Sequence, residues 1–224
     1  MNPTPAYHAA LEASKQVHKG KQFTGKFLRP HAPFIKEIID RRGCKTVLDY
    51  GCGKGQLYEW VIPSTGQTIE QFWGVTVTKY DPAYPPFANE PEGTFDLVLC
   101  TQVLGAIPVS DLPWVLDDEI NGRARHAVYI SERLGEPRKQ LGNNDLRPHF
   151  TASEWMKVIG DNIRDTRVEI TLAVREIVNG AKITSHWRTD GGGGSTTDKC
   201  QTDWQPVTWP PGIRAMNHKW TPHA

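Results

Sequence analysis

The chain has 224 residues, 26 Lys+Arg against 25 Asp+Glu, 38% hydrophobic residues and 4 Cys, which suits one α/β domain with a sizeable core and a short appended segment. No run approaches the ~18 apolar residues a membrane span needs, and the opening MNPTPAYHAALEASK lacks the apolar region of a signal peptide, so a cytoplasmic protein with no membrane partner is expected. Cys44, Cys52, Cys100 and Cys200 are far apart with no CxxC, which argues against a zinc site and a disulfide framework and predicts reduced thiols and no metal.

The net charge of +1 hides an asymmetry: residues 1–45 hold nine Lys/Arg against three Asp/Glu, and the remainder 17 against 22. Residues 15–29, KQVHKGKQFTGKFLR, carry five of those cations and no acid. Two readings of residues 1–30 follow. One is a solvated basic arm; the other is a lid whose Phe23 and lysines, Lys26 among them, close over an anionic ligand.

In HAPFIKEIIDRRG the spacing of Phe34, Ile35, Ile38 and Ile39 predicts a helix that Gly43 can stop. TVLDY then reads as a buried parallel strand, GCGKG as a flexible turn and QLYEWVI as the helix after it. FWGVTVTKY predicts a second strand ending at Asp81, and TFDLVLC a third ending near Thr101. SDLPWVLDDEI predicts a helix capped by Ser110, and HAVYISE a fourth strand ending at Glu132.

Strands alternating with helices predict a Rossmann-like, open, mostly parallel doubly wound sheet. RVEITLAVRE and AKITSHWR, joined by IVNG, predict an antiparallel C-terminal hairpin that closes it. Four glycines then mark a linker, and 191–224, with Trp204, Trp209 and Trp220, reads as a tail outside the fold, able to dock by its tryptophans. The expected organisation is 1–30 as the arm, 31–190 as the domain and 191–224 as linker and tail.

The most informative stretch is Val47-Leu48-Asp49-Tyr50-Gly51-Cys52-Gly53-Lys54-Gly55. Gly51 and Gly53 let backbone pass close beside a ligand at the carboxyl end of the first strand, where open α/β sheets bind. A dinucleotide fingerprint needs its third glycine at position 56, which is Gln56. An acid before the glycines suits S-adenosylmethionine, which carries an ammonium and a sulfonium rather than a pyrophosphate. Asp49 would hold the ammonium, and Asp81 would accept from two ribose hydroxyls.

These residues resemble a class I S-adenosylmethionine-dependent methyltransferase, and more narrowly a group of small bacterial and bacteriophage methyltransferases. The likeness is carried by LDYGCGKG (48–55), WGVTVTKYDPAYP (73–85), FDLVLCTQVLGAIP (95–108), DLPWVLDDEI (111–120) and HFTASEW (149–155). It implies that Asp49, Gly51, Cys52, Gly53 and Lys54 surround the methionine part, that Asp81 takes the ribose and Pro82 borders the adenine, and that Thr101, Gln102 and Val103 line the far side. Only 13 residues separate Asp81 from Phe95, too few for the family's usual helix and full third strand, so that strand is expected to be vestigial. Where the group reads CTDVLEHIP this chain reads CTQVLGAIP, so Gln102, Gly105 and Ala106 remove two charges and a potential proton acceptor.

Transfer of a methyl group from a sulfonium is an in-line displacement, helped mostly by alignment and exclusion of water. A protonated acceptor also needs a base. His149, in the arm after the fourth strand, is the first candidate, against a plain role capping the TASEW helix, and Glu132 is the second. The basic arm with Arg133, Arg138, Lys139 and Arg147 could frame a phosphate-bearing substrate.

Nucleic acid is the less favoured partner. Tyr84-Pro85-Pro86-Phe87 follows the wrong strand for base-amino methylation, and no Pro-Cys pair exists. The expectation is therefore methyl transfer to an oxygen or nitrogen of a small anionic or sugar-type acceptor, with S-adenosylhomocysteine as product. The alternative motivated by Gln102, Gly105 and Ala106 is a catalytically weakened binder of the same cofactor acting through a partner.

Overall fold

In the computed structural model, which describes residues 2–134, 150–163, 167–178, 181–189 and 204–209, β1 (Thr46–Tyr50) lies inside a seven-stranded sheet, buried from Val47 onward. It pairs in parallel with β2 (Thr76–Tyr80) on one side and β3 (Phe95–Thr101) on the other. Parallel pairing continues through β4 (Ala124–Arg133) to β5 (Glu169–Val178). β6 (Ala181–Thr189) and β7 (Gln205–Pro206) are added antiparallel, giving the order β2-β1-β3-β4-β5-β6-β7. The mostly parallel sheet with its antiparallel hairpin is thus present. No strand lies between Tyr80 and Phe95, only a 3-10 turn at Pro85–Phe87, so β2 is the edge of the sheet.

Alternation along the strands makes two cores, because successive side chains point to opposite faces. Leu48, Val98, Val128 and Ile170 face α5 (Ala152–Asn162). Val47, Leu97, Ala127 and Tyr129 face α2 (Ala32–Arg42) and α3 (Ile69–Trp73). Helix α2 buries Phe34, Ile35, Ile38 and Ile39 and ends at Gly43 in the left-handed region, φ 66°. Its last turn is tied to β5 by Glu169, fully buried, whose carboxylate accepts from Arg41 at 2.6 Å and Arg42 at 2.6 Å.

Three helix and strand expectations change. QLYEWVI forms turns rather than a helix: the Tyr58 and Trp60 amides bond back only three residues, to Gly55 and Leu57, and Val61–Ile62 pair instead with Gln67–Thr68. FWGVTVTKY is divided: a capping box between Thr68 and Gln71 starts α3, which runs through Phe72 and Trp73, and Gly74 at φ 69° turns the chain into β2. SDLPWVLDDEI becomes a 3-10 turn, a short α4 (Leu112–Trp114) and a π-helical turn Val115–Ile120. Ser110 does not cap it; its hydroxyl donates to Asp111, which also accepts from the Thr4 amide at 2.8 Å and the Thr4 hydroxyl at 2.7 Å.

Both ends of the chain are packed where they are described. Of the two readings of residues 1–30, the solvated arm is corrected for α1 (Pro5–His18), which is capped by Thr4 and buries Tyr7, Ala10 and His18. The reading of 191–224 as a tail outside the fold is corrected for 204–209. These residues supply β7, Trp204 Nε1 donates to the Met156 carbonyl, and Trp209, 6% exposed, packs on Phe34 and His186. No helix among the described residues is long and apolar enough to cross a membrane. Cys44, Cys52 and Cys100 are free and buried.

Candidate functional site

At the carboxyl ends of β1 and β3 the chain encloses a cavity of about 900 Å³, counted out to its mouth. Its floor is the glycine turn. The amides of Gly51 and Cys52 both donate to the Tyr80 carbonyl, at 2.7 and 3.1 Å, which folds the turn back over β2. Gly51 has φ 77°, and a Cβ there would stand 2.2 Å from Val103 Cγ2.

Gly53 has φ 60°, and its missing Cβ leaves room for the Phe23 carbonyl, which would lie 2.3 Å away. Gly53 is thus required by the chain's own N-terminal segment. Gly53→Val is expected to unseat Phe23–Gly25 and cost about 1–3 kcal/mol of stability, the range for overpacking. A thermal melt within a degree of the parent would place the clash elsewhere.

Two acids meet at this floor. Asp81 accepts from the Gly53 amide at 2.9 Å and the Ala83 amide at 2.9 Å. Asp49 is buried, accepts from the Tyr58 hydroxyl at 2.8 Å, and leaves Oδ1 without a hydrogen-bond partner among the described residues. Burial pushes the Asp49 carboxyl up to about 7, with the Asp81 charge adding to it and the Tyr58 bond and Lys79 opposing. A buried unsatisfied carboxylate oxygen is costly unless something comes to meet it.

Helix α1 makes the opposite wall with Tyr7, Ala10, Leu11, Ser14 and His18. His18 Nδ1 donates to the Ser14 carbonyl at 2.9 Å and Nε2 stands 3.5 Å from Asp81 Oδ2, with the rings of Phe23 and Tyr84 on its sides. Burial disfavours the imidazolium, but the Asp81 carboxylate and the Ser14 carbonyl outweigh it and raise the pKa of His18 above the usual value. Gln102 closes the far side with a left-handed backbone, φ 61°, its amide donating to the Ser131 carbonyl at 2.7 Å. Among the described residues Gln102 and Phe23 (φ 53°) are the only non-glycines at positive φ, and both line the cavity. Strain of this kind gathers where surrounding structure holds a site open.

The cavity therefore brings together Asp49, Gly51, Cys52, Gly53, Asp81, Pro82, Thr101, Gln102, Val103 and Phe23. It does not include Lys54, whose ammonium donates to the Gly20 carbonyl. Glu132 does not line it either; Oε1 accepts from the Leu104 amide at 2.9 Å and so holds the loop after β3. Lys26 is exposed, and the arm's other lysines lie outside the lining too: Lys15 pairs with Glu12, Lys19 bonds Gln16 and Lys21 is exposed. His149 and Arg138 fall outside the described residues. Among those residues no cluster of His, Cys, Asp or Glu could hold a metal.

The α1 wall, with His18, is what the sequence reading missed. Its signal is present as Thr4-Pro5, a cap and first-turn proline, followed by Tyr7, Ala10, Leu11, Ser14 and His18 on one helical face.

Residues 18–120 match the model of a family described as a methyltransferase domain. Neither the curated proteins nor the solved structures yield a match to this chain. The matched stretch contains the glycine turn, Asp49, Asp81, the loop after β3 and His18. It is similar to a methyltransferase domain, and methyl transfer is the class of chemistry that this match supports.

Proposed function

We propose that the chain is an S-adenosylmethionine-dependent methyltransferase acting on an oxygen or nitrogen of a small anionic or sugar-type acceptor. The observation that carries the reading is the buried Oδ1 of Asp49, without a partner among the described residues, in the wall of a cavity floored by a glycine turn. A cation with hydrogen-bond donors is what such an oxygen lacks, and the ammonium of S-adenosylmethionine is one.

Asp81, accepting two backbone amides, retains lone pairs for ribose hydroxyls. Pro82, Val103, Ala106 and Ile107 offer apolar surface for the base and the sulfonium substituents. When bound, the cofactor supplies a methyl group on a positively charged sulfur.

The chain's own part is alignment and exclusion of water. α1 and Phe23 cover the cavity, and Glu132 fixes the loop that carries Thr101–Val103 through the Leu104 amide. His149 is our proposed proton acceptor, so His149→Ala should lower kcat while S-adenosylhomocysteine still binds.

Titration calorimetry with S-adenosylhomocysteine tests the cofactor reading. Asp81→Ala should weaken binding by about 1.5–3 kcal/mol, the range for hydrogen bonds to a charged group. Unchanged affinity would remove Asp81 from the site, and no binding by the parent protein would remove the cofactor.

A further inference from the structure

Two arginines stand at the carboxyl edge of the sheet, across Phe27 from the cavity. Arg133 ends β4, and Arg175 is its register partner on β5. Partners in a parallel ladder point to the same face, so both side chains leave the sheet on the face of Ser131 and Ala173. They are close enough to interact: burial and the charge of Arg133 together hold Arg175 below its ordinary pKa.

The Arg133 guanidinium lies 5.7 Å from the centre of the Phe27 ring, which is 42% exposed and lines the cavity. Next to them is His31, whose Nε2 lies 3.1 Å from the Ser131 hydroxyl and whose Nδ1 lies 2.8 Å from the Tyr129 hydroxyl. Burial and Arg175 push His31 down to about 4, so it is neutral at pH 7 and adds no third positive charge.

Three other arginines are neutralised by carboxylates, whereas Arg29 lies 4.0 Å over the Trp60 ring. Arg41 and Arg42 share Glu169, and Arg123 meets Glu90 and Glu119. Arg133 and Arg175 have no carboxylate partner among the described residues. Like charges opposite one another on adjacent strands destabilise a sheet, and an anion bound between them reverses the sign of that interaction.

We infer that Arg133 and Arg175 form an anion seat that grips a phosphate-type group of the methyl acceptor, with Phe27 between that seat and the cofactor cavity. Only the word acceptor rests on the function proposed above; the seat itself rests on the arginine pair. Two guanidinium forks match the two charges and several oxygens of a phosphate monoester, whereas a carboxylate would balance only one of them.

The probes are inorganic phosphate and acetate, titrated into the full chain at constant ionic strength, with S-adenosylhomocysteine titrated separately. Phosphate should bind the parent protein, and Arg133→Gln/Arg175→Gln should weaken it by at least about tenfold, the effect of losing one charge-assisted hydrogen bond. Affinity for S-adenosylhomocysteine should stay within about twofold, since the pair lies outside the cavity lining. Circular dichroism checks folding, and Arg175→Lys, which keeps the charge, should retain part of the phosphate affinity.

Phosphate binding that is absent from the parent, or equal in the folded double variant, overturns the seat. Acetate binding as tightly as phosphate overturns the doubly charged acceptor. Arginine-dependent phosphate binding without S-adenosylhomocysteine binding would leave the seat standing and overturn the cofactor reading instead.

Discussion

Affinity for S-adenosylhomocysteine is expected to fall about tenfold for each pH unit below 7 and to level off above it, because Asp49 must be ionised to receive an ammonium. In the free protein burial pushes this carboxyl up to about 7, so at acidic pH the ligand has to displace a proton. The sign follows from the raised value. Ionisation opposes folding, so the free protein loses stability as pH rises from the ordinary carboxylate range to about 7, and a bound cation relieves that loss.

The thermal shift produced by the ligand should therefore grow from pH 5.5 to 8, and calorimetry in two buffers of different ionisation heat should register proton release near pH 6. Asp49→Asn should bind weakly with a flat profile. A parent profile already flat over this range would mean that Asp49 does not face the ligand.

Removing residues 191–224 is expected to lower the melting temperature by about 6–20 °C, taking about 3–5 kcal/mol for a buried tryptophan and about 2–4 °C per kcal/mol at this chain length. Trp209 packs against Phe34 of α2 and His186 of β6, while Trp204 bonds the Met156 carbonyl in α5, so the segment touches both faces of the sheet. Trp209→Ala alone should produce most of the loss. A truncated protein melting within about 2 °C of the parent would show that β7 and its tryptophans add nothing to the core.

Local patterns carried most of the architecture. The β-branched and aliphatic run at Val47–Leu48, the helical spacing before Gly43 and the IVNG signal depend on neighbours within a few residues, and the corresponding strand, helix and antiparallel pair form where expected. Asp49, the glycines, Asp81 and Gln102 were legible as a group because a parallel sheet delivers the ends of β1, β2 and β3 to one edge.

What failed was set by partners distant in the chain. QLYEWVI has helical composition, but its end is drawn into pairing with Gln67 and Thr68 and the turn before it is bonded to Phe23 and Thr24. Lys54 and Glu132 are of the right type at the right strand ends, yet one bonds Gly20 and the other the Leu104 amide.

The sequence by itself determined the parallel sheet, the glycine turn and the two acids beside it, since those rest on local periodicity and on where strands end. Only the tertiary structure decided that the basic N-terminus is a helix walling the cavity, that His18 faces Asp81, that Arg175 joins Arg133, and that Trp209 belongs to the core. Each of these is a long-range pairing whose free energy comes from surfaces the chain brings together only on folding; the Thr4-Pro5 cap and the helical spacing after it announce α1 but not what it packs against.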